Sequence, residues 1–258
     1  MSRPNHALSE EIRAYWGRRA ESFDQSFAHA IAEGAEFSAW AQEIERLLPQ
    51  APARVLELGC GTGEVTRVIL SLGHQVTGLD FTPEMLARAK AKHAGNAQAK
   101  FYLADAQNTM EPDAAYDAVI ARHLTWTLTD PKAAYRDWLR VLRPGGRVVL
   151  FDGDWARESR ITRALSPIIR WLGRNLPPDT VDAEMTESHN AIMASLPYGE
   201  GLSARRLATD LKGAGFVGVT VHSHARVTRG IGKNAPLARR IRLRRWKRFI
   251  VSASAPQL

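Results

Sequence analysis

Residues 55–63 read Val-Leu-Glu-Leu-Gly-Cys-Gly-Thr-Gly, an apolar run that enters a turn with glycine at every second position, Gly59, Gly61 and Gly63. Glycines at a strand-to-helix turn let the backbone reverse tightly and come close to a ligand. The helix that follows aims its first N–H groups at whatever sits there. Asp80 ends the next apolar run, 21 residues after Gly59. A carboxylate at that place can accept hydrogen bonds from both hydroxyls of a ribose. A glycine-rich turn alone is weak evidence, and a structural turn with a chance acid would look similar. Turn, helix and acid in this order point to a nucleoside-type cofactor.

The spacing and the local charge narrow the choice. Dinucleotide sites use G-x-G-x-x-G, whereas this chain has G-x-G-x-G followed by Glu64 and preceded by Glu57. Two carboxylates beside a pyrophosphate would be unhelpful, but they suit a cofactor that carries an ammonium and a sulfonium. The pattern favours S-adenosylmethionine (SAM) over a nicotinamide dinucleotide.

The elements that must hold these residues follow from periodicity. Residues 9–31 are predicted to form one helix with Ile12, Trp16, Phe23 and Phe27 on a stripe, and residues 35–48 a second. Strands are expected at 54–58, 75–80, 100–104, 117–121 and 146–152, separated by helices at 63–72, 83–93 and 130–142. Thr82 and Pro83 supply an N-cap and a first helical residue. Strands alternating with helices imply βαβ units and a parallel sheet, an α/β fold. The rhythm breaks over 155–200, which holds helical pieces, Pro167 and a Pro177-Pro178 break, and resumes with a helix at 203–212 and strands at 216–222 and 245–253. Four parts are expected: a helical lid at 1–50, a cofactor core at 51–154, a helical cap on the substrate side at 155–200, and completion of the sheet at 201–258.

Val55-Leu-Glu-Leu-Gly-Cys-Gly-Thr-Gly-Glu-Val-Thr66 resembles the first motif of the class I SAM-dependent methyltransferases. Leu79-Asp80-Phe81-Thr82-Pro83-Glu84-Met85-Leu86 resembles their second, Ala104-Asp105-Ala106 their third, and Leu142-Arg-Pro-Gly-Gly146 the turn before their fifth strand. The likeness is dense over 52–153 and extends weakly to Tyr15-Trp-Gly-Arg-Arg-Ala20. It is specific for the superfamily and says little about the substrate. It implies a three-layer Rossmann-like sheet of seven strands, mostly parallel with the last antiparallel. It also implies SAM as cofactor, S-adenosylhomocysteine as product, and transfer to nitrogen, oxygen or sulfur of a small-molecule acceptor. Residue by residue, Gly59, Gly61 and Gly63 would pass under the methionine part, with Glu57 near its amino group. Asp80 would hold the ribose; Phe81 and Met85 would flank the adenine. Asp105 and the Ala106 N–H would read the adenine edge, and Arg122 would border the methionine end. Tyr15 and Arg19 would close over the cofactor, although ordinary amphipathic packing explains that helix equally well.

Ligands of open α/β sheets bind beyond the carboxyl ends of the strands. The acceptor is therefore expected near Arg122-His-Leu-Thr-Trp126 and Asp152-Gly-Asp-Trp155. His123 is the first candidate base, because an ordinary imidazole pKa near 6.5 suits proton removal, with Asp152 next. Asp154 could anchor an amine, and Trp126 and Trp155 could stack on an aromatic or hold a cation. From the cap, His189 and Tyr198 are candidate substrate contacts, with Glu187 beside them. No metal is expected, since the ligand spacing of catechol-type methyltransferases is absent. Cys60, the single cysteine, fits the glycine turn as a small residue and excludes a disulfide framework.

Net charge is +8, but its location matters more than its size. Nothing after Asp210 is acidic, while those 48 residues carry 11 lysines and arginines, among them Arg239, Arg240, Arg242, Arg244, Arg245 and Arg248. Such a tail could bind RNA, line a solvent face, meet a second copy of the chain in a homodimer, or bind an anionic substrate. Against an RNA methyltransferase stands the absence of an Asn-Pro-Pro-Tyr or Asp-Pro-Pro-Tyr signature after the fourth strand. A further alternative is a SAM-binding protein that uses the cofactor in other chemistry or only senses it. The first residues lack a secretory pattern and no apolar run is of membrane-spanning length, so a cytoplasmic location is expected.

Overall fold

The computed structural model describes residues 5–176 and 183–257. The cofactor-side strands are β1 (Arg54–Leu58), β2 (Gln75–Asp80), β3 (Ala99–Leu103), β4 (Tyr116–Arg122) and β5 (Leu142–Asp154). With β6 (Val217–Ser223) and β7 (Lys247–Ser254) they form one seven-stranded sheet in the order β3-β2-β1-β4-β5-β7-β6. Only β7 runs antiparallel, between β5 and β6. Alternate residues of the central strands feed two separate cores, as a parallel sheet covered on both faces requires. Leu56, Leu58, Val119, Ala121 and Leu150 pack on one face, and Val55, Ala118, Ile120, Val149 and Phe151 on the other.

The helices are α1 (Asn5–Arg19), α2 (Ala35–Leu47), α3 (Glu64–Ser71), α4 (Pro83–Lys92) and α5 (Pro131–Val141). After β5 come α6 (Arg160–Ala164), α7 (Ser166–Leu172) and α8 (Ala183–Ser195), then α9 (Ala204–Gly213) before β6. The Pro177-Pro178 break lies outside the described residues. Two helices join β6 to β7 that periodicity did not predict, α10 (Ala225–Gly232) and α11 (Leu237–Arg242). Gly230 explains how closely α10 packs on α2: a Cβ there would lie 2.6 Å from that of Ala39 on α2.

One expected helix is corrected. Residues 9–31 do not form a single rod; α1 stops at Arg19 and a 3-10 turn follows at Phe23–Gln25. The polar side chains of this stretch take hydrogen bonds that a helix would not use. Arg19 Nη2 donates to Ser26 Oγ at 2.9 Å, and Asp24 accepts from Thr62 Oγ1 at 2.6 Å. The chain is thereby folded across the glycine turn instead of running past it.

Candidate active site

A cavity of about 430 Å³ opens beyond the carboxyl ends of the central strands. Its floor is the turn after β1. Gly61 has φ +54°, a left-handed backbone, and a Cβ there would meet nothing within 4 Å. The cradle is open because that side chain is missing. Asp80 is buried beside it and already oriented: its carboxylate accepts from the Gly61 N–H and the Thr82 N–H, each at 2.9 Å. Burial pushes its pKa up, against these backbone bonds, which favour the charged form. Phe81, Met85, Asp105 and Ala106 continue the same wall.

The segment that follows α1 is tied to this floor by side-chain bonds. Asp24 accepts from Thr62 and, at 2.9 Å, from Lys92 Nζ. The Ile31 N–H donates to Glu64 at 2.7 Å, and Glu64 also takes Lys92 and Arg67. Burial alone would raise the Glu64 pKa, but the Lys92 ammonium and the Ile31 N–H hold it below the usual range. Glu64, read in sequence as a partner for a cationic cofactor, is thus engaged in fastening the lid. Tyr15 and Arg19, both buried, line the cavity from α1.

On the far side, Arg122 donates to the Ala28 carbonyl at 2.7 Å and lies 5.0 Å over the Trp40 ring. His123 takes φ +57° and its ring meets Trp155 edge-on at 4.8 Å between centroids. Desolvation, with Arg122 and Arg248 adding to it, drives the His123 pKa well below 6.5. The imidazole is neutral near pH 7 and a weak base. Trp126 and His189 pack at 5.2 Å, and His189 reaches Tyr15 at 5.8 Å, so α1, α8 and the turn after β4 share one aromatic wall.

Several sequence-predicted residues stand off this cavity. Glu57 shares the face of Val55, is buried, and accepts from Thr66 Oγ1 on α3; burial pushes its carboxyl up to about 8. Gly63 is likewise away from the wall, and its φ of +82° fits the N-terminus of α3 against His93, whose Nε2 lies 2.8 Å from the Cβ position. Asp152, expected as a base, accepts from the Thr125 N–H at 2.9 Å, the Gly153 N–H at 2.8 Å and Trp155 Nε1 at 2.7 Å. Burial raises it to about 6. It holds Trp155 and the turn after β4 in place. Asp154 accepts from the Arg157 N–H at 3.2 Å, and Tyr198 OH bonds Asp210 at 2.7 Å and Tyr135 at 2.8 Å. None of the three lines the cavity. Glu187 is exposed.

The wall also holds residues that motif reading passed over: Trp16, Phe23, Phe27 and His29 from the lid, and Arg242, Arg245, Trp246 and Arg248 from the tail. The acid-free tail was the only signal for the last four, while Trp16, Phe23 and Phe27 were legible only as an apolar stripe. Cys60 is buried and its thiol is pushed well up by desolvation. Among the described residues no three His, Cys, Asp or Glu side chains gather as a metal site.

A glycine turn, a buried acid at the end of β2 and a seven-stranded sheet of this order define a Rossmann-like α/β fold. Residues 56–150 match the family model described as a methyltransferase domain. The chain is 33% identical over 171 residues to trans-aconitate 2-methyltransferase of Streptomyces avermitilis, a stretch covering 64% of this chain and 61% of that one. It is 30% identical over 171 residues to demethylmenaquinone methyltransferase of Tropheryma whipplei, covering 65% of this chain and 67% of the relative. In structure it resembles phosphoethanolamine N-methyltransferase 2 of Haemonchus contortus bound to SAM, with a TM-score of 0.64, 16% identity, and coverage of 93% of this chain and 57% of that one. The chain belongs to the class I SAM-dependent methyltransferases. It spans about three fifths of the length of the first of these curated relatives.

Proposed function

We propose that this chain binds SAM in the cavity and transfers its methyl group to nitrogen, oxygen or sulfur of a small-molecule acceptor. The observation that carries this reading is the Asp80 carboxylate, held by two backbone N–H groups beside the open cradle at Gly61. Asp80 would take the ribose hydroxyls, Phe81 and Met85 the adenine faces, and Asp105 with the Ala106 N–H its edge. Arg19 and Arg122 would border the methionine end. When bound, SAM supplies a sulfonium methyl that passes in line to the acceptor and leaves S-adenosylhomocysteine. The protein's share is position and exclusion of water. The lid fastened through Asp24 and Glu64 closes one side, and the Tyr15, Trp126 and His189 wall closes another. His123, neutral and facing the cavity, accepts a hydrogen bond from the acceptor's N–H or O–H and so orients its lone pair. Its low pKa makes it a positioning group more than a strong base.

The relatives are named for trans-aconitate, demethylmenaquinone and phosphoethanolamine, which supports a small acceptor. Among the described residues no helix is long and apolar enough to cross a membrane. The test is incubation with methyl-labelled SAM and fractionated small metabolites, with total RNA in parallel. Label in a small molecule is the expected result. Label in RNA alone, or consumption of SAM without transfer, would overturn the reading.

A further inference from the structure

The far end of the cavity collects guanidinium groups. Arg248 stands on β7 opposite Gly153, and Arg122 stands on β4 opposite Phe151, so the two flank β5 from either side. Gly153 puts no side chain between them, and the Trp155 ring packs over it, 2.9 Å from where a Cβ would be. Arg242, at the end of α11, and Arg245, just beyond it, line the same cavity.

The two central cations differ in their surroundings. Arg122 is held among the carboxylates of Glu36, Glu64, Glu57 and Asp24. Among the described residues no carboxylate forms an ion pair with Arg248. Its Nη1 donates to the Leu243 carbonyl and its guanidinium lies 5.5 Å from the Trp155 ring centroid. Desolvation, and then Arg122, push it down to about 10, and it in turn helps to keep His123 and His224 neutral. A desolvated cation beside a second cation costs free energy unless an anion offsets it. A guanidinium fork matches the two oxygens of a carboxylate or phosphate.

Arg122, across β5, keeps to its own carboxylates and the cofactor side. We infer that Arg248, with Trp155 alongside, forms an oxyanion subsite for the carboxylate or phosphate of the acceptor. The acceptor is then an acidic metabolite, an inference that rests on the cavity being the methyl-transfer site. The subsite is separate from the Asp80 end of the cavity, so its occupancy and that of the cofactor can be measured apart.

The experiment titrates the S-adenosylhomocysteine-loaded protein with inorganic phosphate and, separately, with succinate, by calorimetry and by thermal melting. Wild type is expected to bind at least one probe and to melt higher in its presence; the better probe identifies phosphate or carboxylate as the group recognised. Arg248→Gln should weaken that binding at least 10-fold, leave S-adenosylhomocysteine affinity within about twofold, and melt no lower than wild type without anion. Arg248→Lys, which keeps the charge and loses the fork, should fall between and serves if the Gln variant does not fold. Probe binding that survives in both variants, or fails in loaded wild type, would overturn the subsite. An equal loss of S-adenosylhomocysteine binding would also overturn it, because the cation would then serve the cofactor's own carboxylate. Failure of wild type to bind S-adenosylhomocysteine at all is a different outcome and strikes the underlying function instead.

Discussion

The two ends of the cavity are built by opposite means. At the Asp80 end, a short stretch of consecutive sequence supplies turn, acid and helix, the Asp80 carboxylate is held by two backbone N–H groups, and Lys92 nearby is paired with Asp24 and Glu64. At the Arg248 end, residues as far as 126 positions apart are brought together by sheet register, and among the described residues the Arg248 guanidinium has no carboxylate paired with it. The first end is preorganised for a ligand whose shape is fixed. The second is poised for a charge that the fold itself does not provide. A common scaffold with a variable acceptor end has this division built into its chemistry.

Four changes would break or sharpen the contrast. The largest effect is expected from Gly61→Val, which puts a β-branched side chain at φ +54° and fills the cradle. Left-handed strain of about 1–2 kcal/mol combines there with direct obstruction, so SAM affinity should fall at least about 100-fold by calorimetry. Next comes the lid. Asp24→Ala removes the bonds to Thr62 and Lys92, worth about 0.5–1.5 kcal/mol each. SAM should dissociate roughly 3–10-fold faster in stopped flow, while probe binding at the Arg248 end stays.

Glu57 sharpens the comparison from beneath the floor. Its pKa is raised to about 8 in the fold, above the usual carboxyl value of about 4.3, so the folded state holds a proton that the unfolded state has released. Stability should therefore fall as pH rises from about 5 to 8, by up to about 1.4 kcal/mol per unit, and level off above. In Glu57→Gln the part of the fall between about pH 6 and 8 should disappear from denaturant midpoints, leaving the shallower loss below it that Asp152 contributes, with the Thr66 bond kept. The smallest effect concerns His123. Since its pKa lies well below 6.5, the methyl-transfer rate between pH 6 and 8 should show no limb near 6.5 that His123→Gln removes. A limb that this variant does abolish would restore His123 as a titrating base.

The Asp80 end was legible because its signal is local. A glycine turn, a strand and an acid read directly as sequence, and the βαβ rhythm reads as a parallel sheet. Strand parity explains where that reading slipped. Glu57 alternates onto the face of Val55 and so meets Thr66 on α3, while Asp152 and Asp154 turn to backbone N–H groups near their own strand end. Tyr198 is drawn to Asp210 and Tyr135, a pairing that no local pattern announces. The broken lid helix was hidden because Phe23 and Phe27 keep a helical stripe while Ser22, Asp24 and Ser26 pull the chain into turns. At the Arg248 end, Arg122 and Trp155 were legible as strand-end residues, and the tail arginines only as an excess of charge. Which arginines face inward depends on the register of β7 against β5 and on α11, and both are set by tertiary packing.

The most direct test of the central claim is calorimetric titration of wild type and Asp80→Ala with SAM and S-adenosylhomocysteine. Two hydroxyl-to-carboxylate bonds at about 1.5–3 kcal/mol each make the acid worth at least about 100-fold in affinity. Micromolar binding of both ligands to wild type that collapses in the variant is the predicted result. Equal binding to both proteins, or none to wild type, would contradict the assignment of this cavity to the cofactor.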